Sequence, residues 1–204
     1  MSERFEGLKK LPRAPALRQL ALANMKVDTP LSAPASSPVD VVLTELAAAD
    51  AYLDMLRLMA AALPVREGVW WACLAGEDLL TDPSARPLPL EAAKAWVLKP
   101  GDATRDKARK AAEMAEPDDD TALCATAVAM HDGKLGSGDL AAYDAPPGTA
   151  AMAILGMNLL SLGSVGAEQF EDRKARLIDR ALDIARGGNG RLGDAPALTG
   201  EAAP

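Results

Sequence analysis

A single histidine, His131, decides most of the chemistry open to this chain. Zinc sites built on several histidines cannot be assembled, nor can di-iron motifs that repeat Glu-x-x-His on two helices, and the residue three before His131 is Val128. A cysteine-histidine dyad could join His131 only to Cys73 or Cys124. Cys124 lies seven residues earlier on one expected helix. That places the two backbones roughly 10 Å apart, beyond the hydrogen bond a dyad requires. Spacing does not decide the pairing with Cys73. Near an expected helix C-terminus, His131 reads best as a residue meeting the dipole or the last carbonyls.

Other patterns invite chemistry and then withdraw it. Gly133, Gly136 and Gly138 could suggest a phosphate or calcium loop. The Walker spacing is absent, no strand precedes the segment, and the twelfth position counted from Asp132 is Tyr143, where an EF-hand places Glu. A connector is the better account. Asp50, Asp54 and Arg57 share one side of an expected helix and could pass for an acid/base set. An exposed charge pattern explains them more simply. No catalytic residue, metal ligand or cofactor site is assigned.

These exclusions fit the composition. Half of the 204 residues are apolar, enough to bury a core without disulfides. Three Trp, two Tyr and two Phe among so many Ala and Leu favour packed helices over a sheet. A formal charge of -7 argues against nucleic acid and anionic lipid as partners. The densest basic stretch, Arg105, Lys107, Arg109 and Lys110, is interleaved with acids and reads as a solvated helix face. Cys73 and Cys124 read as reduced, buried small hydrophobes of a cytoplasmic protein. Residues 1–10 carry five charges and no apolar signal core. The uncharged run through Ala150 to Leu162 is too short and too diluted by Gly, Asn and Ser to span a bilayer, so it predicts a central buried helix.

The elements follow from caps and periodicity. Residues 1–36 predict a flexible N-terminal arm and linker, with a short helix around Pro15 to Met25 and a Pro/Ser/Ala tract after it. The helical domain is expected over 37–187. It opens on a helix capped by Ser37 and Pro38 and running to Leu63, with Pro64 starting the next. Further helices are expected near 90–98, 102–115, 118–133, 149–162 and 166–185, the last stopped by Gly187-Gly188. Residues 188–204 are expected to be a disordered tail. The fold class is all-α, an irregular antiparallel helical bundle or short stack of helical hairpins with six to seven helices.

The most informative segment is Ala62-Leu63-Pro64-Val65-Arg66-Glu67-Gly68-Val69-Trp70-Trp71-Ala72-Cys73. Helical spacing puts Val69, Ala72, Cys73, Gly76 and Leu80 on an inward stripe bordered by Trp70 and Trp71. Trp96 borders the stripe of Leu90, Ala93 and Val97. Three bordering indoles favour a role in closing helix junctions over an exposed hot spot, and with Arg66 and Glu67 they are the protein-interaction candidates.

This run resembles the A-L-P-x-R-E-x-V-W-W-A-C hallmark of an uncharacterised bacterial domain-of-unknown-function family associated with type VI secretion gene clusters. The resemblance extends from Val39 to Gly187 and includes Ala95-Trp96 and the closing segment from Leu177. Gly68 departs from the expected Ala, and the fifth helix is poor in aromatics, which predicts looser packing there. The resemblance implies a cytoplasmic accessory protein, an adaptor or chaperone for a secretion component or effector, and assigns no residue a role. The leading expectation is a non-enzymatic helical module that binds another protein. The alternatives are an enzyme with an unrecognised Asp/Glu/Arg site near Arg66, Glu67 and Trp71, and a structural homodimer.

Overall fold

The computed structural model of the protein describes residues 2–193. The expected disordered tail therefore lies largely outside the described residues. Among these, nine α-helices and two 3-10 turns are present and no strand. The all-α expectation stands, and the number of helices is corrected upward from six or seven. Two local events account for the increase: the short helix expected around Pro15 to Met25 is present as α1 (Ala16–Leu22) and packs with the domain, and the first long helix is two.

The break falls between α2 (Val39–Ala48) and α3 (Tyr52–Ala62). Asp50 takes a left-handed φ of 50°. Its N–H donates to Ala47 O at 3.2 Å, and the N–H of Ala51 donates to Leu46 O at 2.9 Å. This pair of bonds is a Schellman motif, which satisfies orphan carbonyls at a helix end. Asn24 ends α1 in the same way, with a φ of 50° and Met25 N–H donating to Leu20 O at 2.8 Å. Asp and Asn tolerate this conformation because their short polar side chains stabilise it locally. Ser37 does not cap α2. Pro38 holds the N-cap position, and the Ser37 carbonyl instead accepts from Ala16 N–H at 2.9 Å, tying α1 to the start of α2.

Where a loose arm is expected, the structure places core residues. Phe5, Ala16 and Leu20 are buried. The Pro/Ser/Ala tract is held by two carboxylates. Glu45 accepts backbone N–H groups of Ser32 and Ala33. Asp54 Oδ2 accepts from Asp28 N, Thr29 N and Thr29 Oγ1 at 3.0, 2.8 and 2.6 Å, while its Oδ1 accepts from Arg57. Asp54 is therefore a buried clasp, not part of an exposed charge stripe. Composition marks such a tract as a linker because it is rich in Pro, Ser and Ala, but Leu31 and Ala33 pack against the core and its backbone donors find acceptors.

Burial alone would raise the Asp54 carboxyl. The Thr29 side chain and backbone, the Asp28 N–H and Arg57 outweigh it and hold the group below its ordinary value. A carboxyl depressed in the folded state contributes stability above its unfolded pKa, and that stability is lost as pH falls through the folded value. Asp54→Asn is expected to destabilise the fold by about 1.5–3 kcal/mol at neutral pH. In urea titrations the gap between the two proteins should narrow as the medium becomes strongly acidic.

The remaining helices are α4 (Val65–Glu77), α5 (Leu88–Leu98), α6 (Asp102–Glu113), α7 (Ala122–Ala129), α8 (Thr149–Gly163) and α9 (Ala167–Arg186). α4 packs against α5, α7, α8 and α9 and is buried around nearly its whole circumference, beyond the single stripe that periodicity assigned it. Close approach explains how. A Cβ on Gly68 would meet Ile154 Cδ1 of α8 at 2.8 Å, and one on Gly76 would meet Cys124 Sγ of α7 at 3.3 Å. Gly68 thus marks tight packing against α8, contrary to the looser packing its departure from the hallmark suggested. The apolar run forms α8, with Ile154, Met157 and Leu162 in the core. No helix among the described residues is long and apolar enough to cross a membrane.

Candidate functional site

The hallmark segment occupies α4, and the structure separates its candidates. Trp71 is fully buried, and its indole N–H donates to Leu177 O of α9 at 3.0 Å. Trp96 is also buried, its ring 4.8 Å from that of His131. Neither offers surface to a partner, which corrects their place among the interaction candidates. Both join helices, as their position at the borders of stripes suggested. His131, leaning on Trp96, is lowered from its ordinary value by burial and then by nearby Arg105, so the neutral form is favoured.

Cys73 and Cys124 are buried and free. Cys73 faces Cys124, whose hydrogen-bonding thiol, together with burial, pushes it well above its ordinary value. A thiol so disfavoured as thiolate is a poor nucleophile. With Cys73 against Cys124 and His131 against Trp96, the dyad left open by spacing is not formed.

Arg66, Glu67 and Trp70 do come together. They line a groove of about 230 Å³ with Lys10, Leu98 and the turn that follows α9. Helical spacing in α4 brings the three side chains out on its least buried side. Each side chain makes one fixed polar contact. Arg66 Nε donates to Val97 O at 2.7 Å, Lys10 Nζ pairs with Glu67 at 2.9 Å, and Trp70 Nε1 donates to Asn189 O at 2.6 Å. Arg191 lies over the Trp70 ring at 5.3 Å and reaches Glu77 at 3.0 Å. Arg66 locks α4 to the end of α5, Glu67 locks it to the N-terminal segment, and Trp70 locks it to the turn beyond α9.

What these contacts leave open is apolar. Leu98, the last residue of α5, is 80% exposed on the groove wall, with Val97 and Ile184 beside it. Sequence reasoning found Arg66, Glu67 and Trp70 and missed Lys10, Leu98, Ile184 and the Gly187–Asn189 turn. A large apolar residue just before Lys99-Pro100-Gly101 was the available signal for Leu98. Lys10 had none, because it arrives from a segment read as loose. Among the described residues no cluster of metal-ligating side chains is present.

The fold and this groove define an all-helical domain that presents an apolar recess framed by fixed polar contacts. The chain belongs to the family of unknown function DUF6931, whose model matches residues 42–185. The match contains Arg66 through Trp71, Trp96 and Leu98, while Lys10 lies before it. No curated protein and no solved structure matches the chain.

Proposed function

We propose that the protein is a non-enzymatic interaction module that holds another protein through the Trp70 groove, as a cytoplasmic adaptor or chaperone. The observation that carries this reading is that Arg66, Glu67 with Lys10, and Trp70 each hold a contact tying α4 to α5, the N-terminal segment and the turn after α9, while Leu98 stands exposed on the groove wall. An acid/base site needs a titratable group free to meet a substrate. A docking site needs an apolar recess with a polar rim. The resemblance of the hallmark segment to a family associated with type VI secretion clusters supports a secretion component or effector as the partner.

The experiment is affinity capture from the organism that encodes the protein, after gentle cross-linking, with wild type and Leu98→Glu as paired baits. Leu98 is exposed, so its replacement is expected to change stability by no more than about 0.5 kcal/mol. The wild type should recover a partner that Leu98→Glu loses. Recovery of monomer or homo-oligomer alone would overturn the reading and favour the structural homodimer.

A further inference from the structure

A second surface lies on another flank of α5. The outward sides of α5 and α6 enclose a groove of about 320 Å³. Ala92, Ala95 and Ala111 form its floor, and Leu88 and Met114, 58% and 73% exposed, stand at one end. These positions follow helical spacing on both sides, from Leu88 to Ala95 on α5 and from Thr104 to Met114 along α6. The apolar track is thus roughly 10–15 Å long. Alanines in a floor between two helices let a third helix approach closely, as ridges settle into grooves.

Charge identifies what would fill it. The basic stretch of α6, expected as one solvated face, is divided by the fold. Arg109 is buried, its Nη2 donating to Ala129 O at the C-terminal end of α7, and Arg105 pairs with Asp132. That end of α7 attracts cations, which explains why these two turn inward. Lys107 and Lys110 turn outward and line the apolar groove. Neither has an ion-pair partner among the described residues. Lys9, Lys26 and Lys99 are also without one, but Lys107 and Lys110 stand together at i,i+3 beside an apolar track, where their charges add.

We infer that the α5/α6 groove is a docking site for an acidic amphipathic helix of another protein, with apolar side chains at i, i+3, i+4 and i+7 entering the track and carboxylates meeting Lys107 and Lys110. This surface is distinct from the Trp70 groove, and either can fail alone. The probe is a fluorescent 18-residue model peptide with Leu on one helical face and Glu flanking it, beside a counterpart carrying Lys for Glu, each titrated into the full chain by anisotropy. The Glu peptide should bind at least tenfold more tightly than the Lys peptide and weaken at least tenfold with the double variant Lys107→Glu/Lys110→Glu. Leu88→Glu should weaken it too, while Leu98→Glu should not. All of these positions are exposed, and thermal melting checks that each variant is folded. Three results would overturn the inference: equal binding of both peptides, no binding of the Glu peptide, or insensitivity to the lysine variants. It would also fall if the lysine variants abolished instead a self-association seen by sedimentation, or binding to anionic vesicles of phosphatidylglycerol and phosphatidylcholine.

Discussion

Trp71→Ala is expected to lower the unfolding free energy by about 3–5 kcal/mol, the range for truncating a fully buried large aromatic. The indole lies on α4 where that helix meets α9, with no exposed surface. Its removal takes away packing on both helices and leaves the Leu177 carbonyl without its side-chain donor. Trp71→Phe separates the two effects: it retains much of the volume and loses the hydrogen bond, so its cost should be clearly smaller. Urea denaturation of the three proteins measures both. A loss under about 1 kcal/mol for the alanine variant would mean that Trp71 is not at a packed junction.

Gly148→Ala should have an effect of similar size from a different cause. Gly148 precedes α8 with a left-handed φ of 82°, and a Cβ there would lie 1.8 Å from the carbonyl oxygen of Ala23, just beyond α1. The conformation costs an L-residue roughly 1–2 kcal/mol, and the displacement of backbone adds about 1–3 kcal/mol. Because the obstacle is main chain, it cannot be relieved by a change of rotamer. The variant should therefore loosen α1 as well as destabilise the whole. Gly133→Ala, also at a left-handed φ of 74° but with open space around it, should show only the conformational part. If the two variants melted alike, the close approach of α1 to the start of α8 would be wrong.

These two positions show what was legible in the sequence and what was not. Trp71 could be placed on α4 and near a helix junction from spacing alone. That α4 is enclosed on nearly every side could not, since its glycines and alanines carry little periodic signal. Gly187 was read correctly as a helix stop, because glycine announces a left-handed cap. Asp50 and Asn24 make the same cap with residues that read as surface polar groups, so the break between α2 and α3 and the end of α1 were misjudged. The N-terminal segment was lost for a related reason. Asp54 and Glu45 hold it through backbone N–H groups, which composition does not register.

The same division applies to the candidate site. Arg66, Glu67 and Trp70 were visible as a cluster on one segment. The roles of Arg66 and Glu67 as clasps depend on the Val97 carbonyl and on Lys10, which only the tertiary fold supplies. The basic stretch of α6 likewise gave no sign that α7 would draw Arg105 and Arg109 inward and leave the two lysines outside.

Hydrogen-deuterium exchange on the chain, alone and in the complex recovered from its native host, tests the central claim most directly. The proposal that the Trp70 groove holds the partner predicts slowed exchange in residues 66–70, 97–99 and 184–190 on complex formation, and the same pattern lost with Leu98→Glu. Protection confined to other surfaces, with these segments exchanging as in the free protein, would contradict it.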